Sequence, residues 1–184
     1  MTDAEFVEII NRNPVNAAIL SRLAELDAPQ AYLVAGCLFQ TVWNVKSGRP
    51  PAEGIRDYDL FYWDADTSYE AEDLVIRRAD ALFADLNVRI EVRNQARVHL
   101  WFGNKHGLHR PAIGSSKEGI EQFLVLCTCL GISASGEVYA PYGFDDLTAS
   151  LLRLNPHSQT PQLFDAKAAD YQERWPWLRR ASDE

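Results

Sequence analysis

The stretch "GIRDYDLFYWD", residues 54–64, sets two carboxylates, Asp57 and Asp59, at the start of a run that otherwise reads as a buried strand. Burying a carboxylate is unfavourable unless a compensating group meets it. On a strand, residues two apart project to the same face, roughly 6.6 Å apart along the chain. Asp57 and Asp59 therefore stand side by side, while Tyr58, Leu60 and Tyr62 point the other way, into a core. Two carboxylates held close raise each other's proton affinity. A divalent cation with oxygen ligands reverses that and favours both ionised forms.

Working outward, "VRIEVR" (88–93) alternates strictly and predicts a strand, with Val88, Ile90 and Val92 on one face and Arg89, Glu91 and Arg93 on the other. If the two strands are sheet neighbours, Glu91 joins the aspartates. Three carboxylates on one sheet face would suit two Mg²⁺ ions about 3.5–4 Å apart. Upstream, "LVAGCLFQTVW" (33–43) reads as a strand, Gly36 and then a helix. Such a turn offers backbone N–H groups at a helix start, where the dipole favours anions, and glycine leaves room for a phosphate.

The flanking segments predict helices over 3–11 and 15–25, separated by Asn13-Pro14, and a strand over 31–36 followed by a helix over 37–48. A capping box at Thr67–Glu70 opens a helix that runs to about 86, and 95–103 leans towards helix. A second box at Ser115–Glu118 opens a helix through Cys127. Residues 137–143 predict a strand or extended link, and two helices follow at about 144–154 and 162–174. The sum is an α/β (α+β) domain over 1–184. A small mixed sheet flanked by helices occupies about 30–105, with N-terminal helices before it and a helical C-terminal part over about 115–180.

The chain has 184 residues and a net charge of −8. That balance disfavours long nucleic acid as a partner but is compatible with a nucleotide whose metal brings its own positive charge. No apolar run approaches the length that spans a bilayer, and the acidic start lacks the features of a secretory signal. Three cysteines in apolar segments point to reduced thiols and a cytoplasmic setting.

The order of anion-binding turn, D-x-D strand, helix and acidic strand resembles the nucleotidyltransferase superfamily of the DNA polymerase beta type. "VAGC" (34–37) stands for its h-G-[GS] turn, "DYDLF" (57–61) for its paired acids and "IEV" (90–92) for its third acid. More closely, "VAGCLFQTVWN", "SGRPPAEGIRDYDLFYWD", "EVRNQARVHLW", "YAPYGFDDL" and "AKAADY…WP" are similar to a small bacterial family of nucleotidyltransferase-like proteins. The resemblance implies a minimal nucleotidyltransferase core that uses an NTP with Mg²⁺ or Mn²⁺. It implies Asp57, Asp59 and Glu91 as catalytic and metal-binding carboxylates, and Gly36 facing the triphosphate. Cys37 stands where the superfamily usually has glycine or serine; a thiol is a weak hydrogen-bond donor.

Arg93 and Arg97, four apart, either clamp phosphate or neutralise the surrounding acids. Arg56 contacts phosphate or pairs with a surface acid. Asn94 and Gln95 read a base edge or serve a turn, and Lys167 is a remote phosphate candidate. His99 reads as packed, His106 and His109 as loop residues, and Trp175 and Trp177 as packing anchors. The leading expectation is metal-dependent transfer of a nucleotidyl group to an unknown acceptor hydroxyl. The alternatives are a non-catalytic nucleotide sensor, to which Cys37 lends support, and a metal-dependent nuclease or phosphohydrolase.

Overall fold

The computed structural model describes residues 1–107, 111–158 and 160–181, without the side chains of 104–106. Of the two histidines read as loop residues, His109 lies outside that description, and the backbone of His106 ends a helix.

Helix α1 (Asp3–Ile10) opens with a capping box between Thr2 and Glu5. Asn13 caps α2 (Pro14–Arg22), where Pro14 takes the first helical position; the Asn-Pro pair is thus a helix start. Strand β1 (Tyr32–Val34) leads directly into α3 (Gly36–Lys46). Strand β2 (Tyr58–Tyr62) follows the 49–54 loop, and α4 (Tyr69–Leu82) crosses to β3 (Ile90–Asn94). The cap of α4 is Ser68, whose hydroxyl accepts from the Ala71 amide, one residue later than the sequence pattern suggests. Then come α5 (Val98–His106), α6 (Ser116–Glu121), β4 (Gly131–Ser133) and β5 (Val138–Tyr139). The C-terminal part holds α7 (Asp145–Ala149), β6 (Leu151–Leu152), α8 (Phe164–Arg174) and β7 (Arg179–Arg180).

Five strands form one mixed sheet in the order β3-β2-β1-β4-β5. Only β2 and β3 pair in parallel, as a strand–helix–strand unit requires; the other neighbours are antiparallel. Leu33, Leu60, Val92 and Ile132 turn one face towards the N-terminal helices and α3. Tyr32, Val34 and Phe61 turn the other towards Ile120 of α6 and Phe123. The C-terminal helix packs on α3: Trp43 lies 5.2 Å from the Tyr171 ring and 5.0 Å from the Trp175 ring.

Two expectations need correction. The helix expected through Cys127 stops at Glu121, because Asn155 Nδ2 takes the carbonyls of Glu121 and Phe123 at 2.6 and 2.7 Å. The chain then turns back and contributes β4 to the sheet. The helix expected over 144–154 stops at Ala149, where Ser150 adopts φ 64°, and Leu151–Leu152 pair with β7.

Buried amides fix the scaffold around α3. Asn13 donates to Thr41 and to the Tyr58 hydroxyl, and Asn16 donates to the Ile10 and Cys37 carbonyls. Asn44 donates to the Pro51 and Glu53 carbonyls at 3.1 and 2.9 Å and accepts from Trp175 Nε1 at 3.1 Å. One side chain thereby ties the loop before Asp57 and the end of α8 to α3. Asn44→Ala leaves an indole donor and two loop carbonyls without partners. It should lower stability by about 2–3 kcal/mol in urea unfolding. A loss below about 1 kcal/mol would mean the loop is held by other contacts.

Candidate active site

The register of the sheet builds the site. Asp59 sits opposite Val34 on β1 and opposite Glu91 on β3. Because Tyr58, Leu60 and Tyr62 fill the core face, Asp57, Asp59 and Phe61 share the opposite one. There Asp57 and Asp59 line a cavity of about 330 Å³ with Ala35, Gly36, Gln40 and Lys167. Phe123, Leu124, Val125 and Thr128 wall it from the α6–β4 connection, and Phe39 and Tyr171 close its base.

Neither aspartate side chain makes a hydrogen bond or contact ion pair among the described residues. Burial, then the charges of Asp57 and Glu91, raise the Asp59 carboxyl from 3.8 to about 7; Arg93 and Lys167 offset this in part. An unpaired, largely desolvated acid beside a second acid is the arrangement that a divalent cation relieves. The two carboxylates lining the cavity therefore fit a cation with oxygen ligands.

The third carboxylate is placed differently. Glu91 shares the sheet face and is the register partner of Asp59. Its two oxygens, however, are taken by Arg89 at 2.5 Å and Arg93 at 3.2 Å, and it does not line the cavity. Among the described residues no three His, Cys, Asp or Glu side chains form a group that would hold a metal ion. The three carboxylates expected as one ligand set are thus not gathered in the cavity; the flanking arginines pair with Glu91 in place.

The turn before α3 also departs from expectation in detail. The residue in an unusual conformation is Ala35, at φ 53° and ψ −118°, and not Gly36. That region is close to glycine-only and stores about 1–3 kcal/mol of strain. Gly36 matters for space: a Cβ there would lie 3.1 Å from Gln40 Nε2. The Cys37 thiol is fully buried in the main core, 3.5 Å from the Val34 carbonyl, so it cannot face a phosphate. As the first two residues of α3, Gly36 and Cys37 have no intrahelical acceptor for their N–H groups, so Cys37 contributes to the turn through its backbone.

Of the other candidates, Arg56 is exposed beside Asp57, and Arg93 is held by Glu91 and the Val92 carbonyl. Arg97 is not a clamp: it pairs with Glu72 of α4 at 2.7 Å, with 13% and 12% of the two side chains exposed. Asn94 caps the turn after β3 and bonds the backbone of Asp64 and Asp66. Gln95 is buried against Gly119. These polar residues fasten β3 to its neighbours. Sequence reasoning missed Gln40, which lies one turn into α3 and accepts from Arg174 of α8 at 2.7 Å. Lys167, Tyr171 and Arg174 recur at helical spacing on α8, a mixed stripe that marks a face turned to a polar cavity.

The paired acids of β2 and the turn that opens α3 thus meet at one cavity of an α/β domain. The chain belongs to the nucleotidyltransferase family, whose model matches residues 21–180. It is similar to a solved protein described as revealing a CCA-adding enzyme head domain by NMR. That likeness has a TM-score of 0.77 and 25% identity, covering 98% of this chain and 96% of that one. A CCA-adding enzyme with CTP shares the fold at TM-score 0.58 and 11% identity, covering 99% of this chain and 44% of that one. The Thermotoga maritima CCA-adding enzyme complexed with tRNA does so at 0.53 and 14%, covering 90% and 38%. The chain thus spans less than half the length of those two enzymes. None of the curated proteins compared matches it. Among the described residues no helix is long and apolar enough to cross a membrane.

Ala35→Gly should raise the thermal midpoint by a few degrees, because relief of strain outweighs glycine's extra unfolded-state entropy; a lower midpoint would show that Ala35 is unstrained. The Asp59 shift sets a pH dependence in metal-free protein. The acid ionises near 4 unfolded and near 7 folded, so the folded state binds more protons between those values. Its contribution to stability is therefore present at low pH and is lost as pH rises towards 7 and above. Asp59→Asn should flatten that slope and raise the midpoint at pH 8 by several degrees in calorimetry. An unchanged slope would place Asp59 in water.

Proposed function

We propose that the protein transfers a nucleotidyl group from an NTP to an acceptor hydroxyl with Mg²⁺ or Mn²⁺. The observation that carries this reading is the pair of unpartnered carboxylates facing the turn that opens α3. Asp57 and Asp59 would hold the cation, which when bound polarises the α-phosphate and offsets charge developing on it.

The chain's own groups do the rest. The N–H groups of Gly36 and Cys37 and the N-terminal end of α3 meet the triphosphate. Lys167, which lines the same cavity with no ion-pair partner among the described residues, adds a positive charge held 5.0 Å above the Tyr171 ring. Arg93 holds Glu91, so the charge of Glu91 reaches Asp59 across the strand pair and not through the cavity. Phe123, beside Phe61 at 5.5 Å, gives the entrance an aromatic edge that suits a base or sugar. In the reaction the acceptor oxygen bonds to the α-phosphorus while the bond from that phosphorus to the β-bridging oxygen breaks. Pyrophosphate leaves, and the hydroxyl proton passes to a carboxylate oxygen of the aspartate pair.

Support for a non-catalytic sensor rested on Cys37 as a departure inside the phosphate cradle. With that thiol in the core, the argument lapses. The family assignment favours transfer over hydrolysis.

Incubation with α-³²P-labelled NTPs, Mg²⁺ or Mn²⁺ and a panel of hydroxyl acceptors should label one acceptor class and release pyrophosphate. Asp57→Ala and Asp59→Ala should each reduce transfer by on the order of 10³-fold. Activity within tenfold of the parent in either variant would refute the site. Glu91→Gln should reduce transfer less than either aspartate variant, because Glu91 stands outside the cavity.

A further inference from the structure

The chain has eight more acids than bases, yet its unpaired cations are not scattered. Of the Lys and Arg side chains described, eleven stand within 4.0 Å of a carboxylate. The described ones that do not are Lys46, Arg56, Lys167, Arg174 and Arg179, and they form a track. Lys167 is in the aspartate cavity. Arg174 donates to Gln40 of that cavity and to the Gly54 carbonyl, just before Arg56. Burial lowers the proton affinity of the Arg174 guanidinium; the charge of Asp170 opposes this and those of Arg56 and Arg49 add to it.

The track ends in a second cavity of about 500 Å³, at the other end of α3. It is lined by Lys46, Arg49 and Arg179 with Ser47, Ser150 and Trp177, and among the described residues no carboxylate lines it. The groups are held in place. Lys46 Nζ donates to Ser150 Oγ at 2.6 Å and sits 4.9 Å above the Trp177 ring. The Trp177 indole donates to Ser47 Oγ at 3.0 Å. Arg179 donates to the Ala149 carbonyl at 3.3 Å. Arg49 has Glu53 at 4.0 Å, the outer limit of an ion pair.

Three positive groups brought together from the end of α3, the loop after it and β7 repel one another until an anion joins them. Two guanidinium forks, an ammonium and the Ser150 hydroxyl match the several oxygens of a tetrahedral phosphate better than the two of a carboxylate, while the Ser47 hydroxyl donates to the Trp43 carbonyl and serves to hold Trp177. The eleven residues of α3 separate this pocket from the Gly36 turn by on the order of 16 Å.

We propose that this basic pocket seats a phosphate group of the acceptor, so that the molecule receiving the nucleotidyl group is an extended phosphate ester. Its hydroxyl would lie at Asp57 and Asp59 and its phosphate between Arg49 and Arg179, with Arg174 and Arg56 beneath the span. The word acceptor rests on the transferase reading above; the phosphate seat does not.

The ¹⁵N-labelled full chain, titrated without metal with inorganic phosphate, ribose 5-phosphate and a 5′-phosphorylated trinucleotide, tests it by NMR. The Trp177 indole and the Ser47 and Ser150 amides should shift with all three, and the shifts should weaken as salt rises. The double variant Arg49→Gln, Arg179→Gln alters two exposed side chains and should keep a folded spectrum while weakening ribose 5-phosphate binding tenfold or more. Trinucleotide binding at least tenfold tighter than ribose 5-phosphate would assign the phosphate to an oligonucleotide, and equal binding to a small ester. Shifts confined to 35–38 and 57–59, or unweakened binding in the double variant, would overturn the seat and leave the transferase reading intact. A phosphate response at Trp177 alongside no transfer to any acceptor would keep the seat and remove that reading.

Discussion

The site depends on two neighbouring acids, one of them, Asp59, largely desolvated, that no cation pairs with directly among the described residues. Asp57, just before β2, and Asp59 line a cavity whose other walls are mostly aromatic and aliphatic, with Gln40, Thr128 and Lys167 among them. The positive groups that reach them, Arg93 and Lys167, act at a distance and only partly offset the desolvation of Asp59. Stability alone would favour an apolar residue in place of Asp59, so close to a second acid. Their retention in a well-packed sheet makes sense if the missing charge arrives with a cation and a phosphate.

Helix α3 is the element on which the parts converge. Its first turn presents the backbone amides beside the aspartates, and Gln40 one turn later receives Arg174. Asn44 fixes both the loop leading to Asp57 and Trp175, and Lys46 at the end enters the basic pocket. Its buried side carries Cys37, Leu38 and Trp43, which lock it to the sheet and to α8. On the proposed reading, α3 would have the nucleotide at one end and a phosphate of the acceptor at the other, and so would set the distance between two substrates. That is a positioning device of the kind that lowers the entropic part of a transfer barrier.

Much of this was legible in the sequence because it rests on short periods. Alternation at 57–62 and 88–93 fixed which side chains share a face, and the parallel pairing of Asp59 with Glu91 follows once the two strands are neighbours. The fate of Glu91 was not legible, because it turns on which side chains claim its oxygens: the arginines two residues either side do so. The thiol of Cys37 was misjudged for a related reason. A sequence places a residue at a helix start, but which way that residue faces depends on how the helix lies on the sheet. Strand β4 was hidden in the continuous apolar run "LVLCTCLGI", where a buried strand and a buried helix look alike. Lys167, Arg174 and Arg179 come from the far end of the chain, and nothing local announces where α8 and β7 dock.

The most direct measurement is a ¹³C carboxylate NMR titration of Asp59, assigned through Asp59→Asn, with and without Mg²⁺. The account predicts an apparent pKa near 7 in the metal-free protein, moving to lower pH as Mg²⁺ is added. An ordinary value near 3.8 that Mg²⁺ leaves unmoved would contradict it.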